Sequence, residues 1–270
     1  MSYAVLKEYL EFFSFIATIV GLLYIALQIR LQKKKDRVEL ILKLSNDFYN
    51  NDKLQGVFEY LDQDKKCISE INDELERLIV EGTPINVPDS NAIIKEINLN
   101  IYFNFFNSIA VLVDEKVAST DLAMKLFRYQ LEKTFCFPIL LKYMEDYGFE
   151  KIKRLLPDAI FTYGTLSDPS QRHNIPELNS CADHLINMDQ FLLEDYEIID
   201  VEADKTYKGM IPSKNGQTVL GELVHIEKNA SWSNTFNCID LYEEVDTLYD
   251  RKIIKLNNTK KYAWTYLKKK

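Results

Sequence analysis

Histidine is scarce: the 270 residues hold three. That leaves little material for histidine-based catalysis or for a histidine-rich metal site. The four cysteines, Cys67, Cys136, Cys181 and Cys238, include no close pair, which excludes a disulfide framework and reads as reduced thiols in a cytosolic compartment. There is no excess of basic residues. Lys plus Arg number 33 against 41 Asp plus Glu, a net charge of -8, so the concentrated basic face that a nucleic-acid binder needs is not expected. No Gly-x-Ser-x-Gly, phosphate-binding loop or Cys-x-x-Cys occurs. With 47% hydrophobic and 27% charged residues, the chain is also too ordinary to be disordered, collagenous or a mucin-like stalk.

Long uncharged runs, by contrast, are present. Residues 12–29 contain no charge and no polar stripe. As a helix they would span about 27 Å, near the thickness of a bilayer core. Arg30, Lys33, Lys34, Lys35 and Arg37 follow at once, the pattern that holds a flank on the cytoplasmic side. The expectation is a single-pass transmembrane anchor, with the N-terminus outside and the bulk of the chain cytoplasmic. A cleaved signal peptide fits less well, because Glu8 and Glu11 precede the run and no small-residue cleavage site follows it. A buried soluble helix is the plain alternative.

From residue 37 to 156 the pattern is helical. Val38, Leu40, Ile41, Leu44 and Phe48 have helical spacing, residues 67–80 form an amphipathic run, and Pro88-Asp89-Ser90 reads as a start signal. Ile94, Ile97, Ile101, Phe105, Ile109 and Leu112 then recur on one face. Ser119-Thr120-Asp121 caps a further helix, expected to run to about Tyr147 with a kink at Pro138 and a stop at Gly148. The aromatic stretch 102–106 reads as core packing. No catalytic constellation stands out. Anchor and helices together resemble the membrane-anchored helical bacterial domains of unknown function of the DUF4760 type, a likeness that implies no chemistry.

The character changes at Pro157. Strands are expected over 159–163, 191–201, 207–211, 218–227, 249–256 and 261–267, with one short helix over 234–242. The organisation expected is therefore an anchor (1–36), an all-α region (37–156) and a small C-terminal α+β domain (157–270) built on a curled mixed sheet or barrel. Cys181 and His184 have a metal-like spacing but lack a second pair, so no metal site is assigned. Two features remain that could carry chemistry: the strand–turn 161–166 and the acidic cluster 240–245 followed by Tyr249-Asp250-Arg251.

Tyr163-Gly164-Thr165-Leu166 after an apolar strand resembles the Tyr-Gly-Ser/Thr-Leu signature of the γ-glutamylcyclotransferase-like (AIG2-like) family. Val219-Leu220-Gly221-Glu222-Leu223, Ile239-Asp240-Leu241-Tyr242-Glu243 and Tyr249-Asp250-Arg251 resemble further motifs of that family, in its order. The resemblance implies ring closure. The α-amine of a γ-glutamyl amide attacks the side-chain carbonyl, expels an amine and leaves 5-oxoproline, with no cofactor or metal. It implies Glu243 as the acid/base and Tyr163, Gly164, Thr165, Leu166 and Tyr249 as the substrate-binding set, with Gly164 allowing close backbone approach. Each has a plain reading as well. Glu243 could be a solvated helix-end carboxylate and Tyr163 strand packing; Tyr249 could be core or could order the base, and Glu244 competes with Glu243 for the role. Arg251 receives no role. Two departures from the family pattern stand out: Glu244 follows the acidic residue where the family has glycine, and the segment between Ser167 and Gln190 is long and polar. The expected partners are a bilayer through residues 12–29 and a small γ-glutamyl or amino-acid-like ligand. The alternatives to an enzyme are a non-catalytic ligand-binding protein and a membrane-tethered interaction protein.

Overall fold

A computed structural model describes residues 3–63, 68–87, 93–201, 208–245 and 247–269, the side chains of 3–23, 26, 187 and 188 excepted. The start signal expected at 88–90 lies outside the described residues, as does Cys67. The chain folds as two units, Met1–Asp47 and Phe48–Lys270.

The first unit is helix. α1 covers Tyr3–Tyr49 and ends just beyond it. The expected transmembrane span, and the single-pass placement and orientation built on it, are corrected here. Among the described residues no helix is long and apolar enough to cross a membrane. α1 does not stop after the uncharged run but carries Arg30, Lys33, Lys34, Lys35, Asp36, Arg37 and Glu39 onward in the same helix. The side chains of residues 12–23 and 26, most of the expected span, lie outside the described residues.

In the second unit, polar caps set the helix starts. Asn51 caps α2 (Asp52–Leu61) by accepting from the N–H groups of Lys53 and Leu54. α3 (Ile68–Glu81) and α4 (Glu96–Asp114) follow, separated by the two-residue strands β1 (Ile85–Asn86) and β2 (Ile93–Ile94), which pair with each other. Ser119 caps α5 (Thr120–Phe135) through the N–H of Leu122. Where a kinked helix was expected, there are two: α5 ends at Phe135, and Pro138 opens α6 (Pro138–Asp146) as its first residue. Proline lacks only an N–H that this position leaves unpaired anyway. Gly148, at φ +79, ends the segment in the left-handed conformation as expected. Phe48, Tyr102, Phe103, Phe106 and Phe127 are at most 1% exposed and meet edge to face, which makes the aromatic stretch a core.

The C-terminal residues build β3 (Ala159–Thr162), the one-turn α7 (Pro169–Arg172), β4 (Leu185–Glu194), β5 (Tyr196–Asp200), β6 (Lys208–Pro212), β7 (Thr218–Ile226), α8 (Trp232–Tyr242), β8 (Tyr249–Lys255) and β9 (Tyr262–Lys268). Five strands form an open mixed sheet in the order β4-β7-β3-β9-β8, and β5 and β6 pair as a separate hairpin. β3 runs parallel to β9 and antiparallel to β7. The long strand expected over 191–201 is two strands, because Asp195 adopts φ +65 and breaks the ladder. Phe161, Leu193, Met210, Val219 and Ile254 share one core cluster, with Tyr163 packed against it. β3 is buried along its whole length, so its end, and the turn after it, are delivered to a fixed place.

Candidate active site

Glu243 occupies the C-cap of α8. The helix stops there by a Schellman motif: the N–H of Val245 reaches the carbonyl of Asp240 at 3.0 Å, and that of Glu244 reaches Leu241 at 3.3 Å. Glu244 takes the residue position that such a motif places in the left-handed region, with φ +47. The sequence departure from glycine therefore keeps the backbone shape that glycine would give, at a strain of about 1–2 kcal/mol. Glu244 itself is exposed.

The turn after β3 arrives opposite. Its anchor is Tyr163, whose hydroxyl donates to the carbonyl of Tyr266 at 3.2 Å and accepts from the N–H of Met210 at 3.0 Å. One phenol thus ties the turn to β9 and β6. Residues 165–167 form a single 3-10 turn, with the N–H of Ser167 bonded to the Gly164 carbonyl. Among the described residues, the N–H groups of Gly164, Thr165 and Leu166 donate to no backbone acceptor. A Cβ at Gly164 would meet nothing within 4 Å, so the residue leaves open space instead of relieving a close approach between neighbours. Close approach is found on the facing strand: a Cβ at Gly221 would sit 2.3 Å from the Thr162 carbonyl oxygen and 2.6 Å from the Phe161 ring. Arg172, 1% exposed, holds the turn from behind, donating to the carbonyls of Leu166 at 2.6 Å and Leu185 at 2.8 Å. The long polar segment after Ser167 thus contributes a buried clamp.

Between turn and helix end lies a cavity of about 200 Å³. Tyr163, Gly164, Thr165, Leu166, Glu243 and Tyr249 all line it, so every residue that the sequence singled out as a site candidate meets in one place. Burial raises the Glu243 carboxyl from an ordinary 4.5 to about 8, and the nearby charge of Asp240 adds to the rise. The negative end of the α8 dipole works in the same direction. The residue stays partly exposed because it forms the wall of an open cavity. Among the described residues none donates a hydrogen bond to its carboxyl. The Tyr163 hydroxyl is pushed up by burial and by the Glu243 charge, so it stays a neutral phenol.

Asp240, three residues before Glu243 on α8, pairs with a group that the sequence left without a role. Arg251, 1% exposed, donates from Nη1 to Oδ1 of Asp240 at 3.1 Å and is ion-paired with Oδ2 at 3.0 Å. Its guanidinium lies 4.2 Å from the Phe236 ring centroid and 5.3 Å from that of Trp264. The Tyr266 hydroxyl donates to Asp240 at 2.8 Å. The spacing of Asp240 and Glu243, three apart on one helix face, was a signal for this cluster; the partner strand was not readable. Tyr249 donates its hydroxyl to the Lys208 carbonyl at 3.0 Å, so the proton that was considered for ordering the base is directed to the backbone. Lys208, Tyr242, Leu248 and Tyr266 also line the cavity and were missed. His184 Nδ1 lies 3.1 Å from Glu227. Among the described residues no cluster of His, Cys, Asp and Glu could hold a metal.

Residues 160–270 match the family model described as "Gamma-glutamyl cyclotransferase, AIG2-like". Two solved structures resemble the chain. The crystal structure of YkqA from Bacillus subtilis is 15% identical, with 48% of this chain and 45% of that chain covered and a TM-score of 0.35. That of an AIG2-like protein from Mus musculus is 15% identical, with 41% and 76% covered and a TM-score of 0.29. The chain spans less than half the length of the YkqA chain. No curated protein matches it. The C-terminal mixed-sheet domain is thus AIG2-like, and the match stops short of the helices before residue 160.

Proposed function

We propose that this AIG2-like domain, residues 157–270 in our division of the chain, converts a γ-glutamyl amide into 5-oxoproline and a free amine, with Glu243 as general acid/base. The observation that supports this reading best is the Glu243 carboxyl in the wall of the cavity that the 163–166 turn also lines, with its proton affinity raised to about 8. A free α-amine titrates at about 8, so proton transfer between the two is close to balanced. Glu243 takes one proton from the substrate α-ammonium. The amine nitrogen then bonds to the γ-carbonyl carbon, closing a five-membered ring, and the carbonyl electrons move to oxygen. As they return, the C–N bond to the departing amine breaks and Glu243 delivers its proton to that nitrogen. The carboxylate so regenerated takes the second proton from the ring nitrogen, which becomes the neutral lactam N–H, and passes it to the released amine, which leaves as an ammonium ion. Carboxylate and electron count are restored, with no water or cofactor consumed. Holding the chain folded supplies most of the acceleration, because attack is intramolecular. The N–H groups of residues 164–166 are the donors for the developing oxyanion and the α-carboxylate. A cavity of this size suits an amino-acid head better than a drug-sized ligand, which needs about 300–1,000 Å³.

The test uses the full chain and a panel of γ-glutamyl amides, with 5-oxoproline measured by chromatography. Release by the wild type and a loss of at least about 100-fold in Glu243→Gln are expected. Equal rates in the two proteins would refute the assignment of the base. For kcat/KM the acid limb should rise with unit slope through about pH 8, as Glu243 loses its resting proton.

A further inference from the structure

Helix α8 carries Glu243 at one end, and its other end is held by a residue outside the family-matched segment. Glu145, on α6, accepts the Trp232 N–H at Oε1 (2.8 Å) and the hydroxyls of Ser231 and Ser233 at Oε2 (2.9 Å each). Lys153 donates to the same Oε1 at 2.8 Å. Burial alone would push Glu145 up, but Lys153, the Trp232 N–H and Ser233 outweigh it and hold the carboxyl below its ordinary value. It is therefore an anion at the positive end of the α8 dipole, where a charge is most effective. The same helical layer also holds β8. The Phe135 carbonyl, at the end of α5, accepts from Arg251 Nη2, and the Ile253 N–H donates to Glu132 at 2.7 Å.

We propose that Glu145 is a positioning residue for Glu243: by capping the start of α8 from the preceding helices, it fixes where the carboxyl at the far end enters the cavity. The inference rests on the reading of Glu243 as the acid/base. The titratable groups around that carboxyl are Asp240, Tyr242 and Glu244 from its own stretch of chain, Tyr163 from the turn, Lys208 from β6, Tyr249 from β8 and Tyr266 from β9. None belongs to α6, so a change at Glu145 reaches Glu243 only through the placement of the helix.

The experiment compares full-length wild type, Glu145→Ala and Glu145→Gln by two readouts. The first is a carbon-13 NMR titration of the Glu243 carboxyl in the resting protein, identified by its loss in Glu243→Gln. The second is kcat and KM on a γ-glutamyl amide that the wild type turns over. For Glu145→Ala we expect the midpoint to move by at least about half a pH unit. Its kcat should fall about tenfold with KM nearly constant. Glu145→Gln still accepts from the Trp232 N–H and should recover most of the rate. Near-UV circular dichroism normalises each value to the folded fraction, so a simple loss of folded protein leaves both readouts unmoved. A wild-type midpoint and kcat in folded Glu145→Ala would overturn the proposal. Should no γ-glutamyl amide be turned over, the functional reading fails, and the titration alone decides the positioning claim: a moved midpoint supports it and an unmoved one overturns it.

Discussion

A buried carboxyl that prefers its proton must weaken the fold when pH forces the proton off, which gives a test independent of any substrate. Glu243 is raised from 4.5 to about 8 in the folded chain. Between those values the folded state binds more protons than the unfolded state, so the contribution of this group to stability falls as pH rises through the window and is gone above it. Each pH unit is worth about 1.4 kcal/mol, which sets a ceiling of about 5 kcal/mol. Water in the open cavity screens the charge, and about 2–3 kcal/mol is the expected remainder. Glu243→Gln keeps the shape and cannot ionise. Its stability should match that of the wild type near pH 4.5 and exceed it by that amount at pH 8.5. Urea denaturation at both pH values, with the variant always compared with the wild type, removes the contributions of all other titrating groups. A stability difference that stays constant between the two pH values would refute the claim that Glu243 is buried with a raised proton affinity.

Other substitutions probe the frame around it. Gly221→Ala puts a methyl 2.3 Å from the Thr162 carbonyl and must push β7 off β3. It should cost about 3 kcal/mol and lower the melting temperature by roughly 10 °C in calorimetry. Glu244→Gly relieves a left-handed non-glycine residue. It should gain about 0.5–1 kcal/mol, read as a small rise in melting temperature. Arg251→Ala leaves Asp240 buried without its cation and should cost about 3–5 kcal/mol in denaturant titration. The double variant Arg251→Met with Asp240→Asn should recover more than half of that loss.

Much of the C-terminal sheet was legible because alternating and β-branched runs bounded by turns leave few alternatives. The predicted segments 218–227, 249–256 and 261–267 correspond within a residue or so to β7, β8 and β9. Asp195 was missed because a non-glycine residue at positive φ carries no composition signal. The kink at Pro138 became a break because proline is equally at home as a first helical residue, and only packing chooses between the two. The expected membrane span does not stand among the described residues, where no helix is long and apolar enough to cross a membrane. At the candidate site, motif order brought out Tyr163, Gly164, Thr165, Leu166, Glu243 and Tyr249, since short motifs keep residue types that a turn and a helix end require.

The amino-acid order alone determined where β3, β7, β8, β9 and the C-terminal helix form, because hydrogen-bonding pattern, cap chemistry and apolar period are local properties. Only the tertiary structure decided that Glu243 is buried, what holds Arg172 and Arg251, and that a carboxylate on α6 caps the helix bearing the acid. Those pairings join residues from 6 to 116 positions apart in the chain. Burial and proton affinity depend on what surrounds a group in space, and no local pattern carries that information.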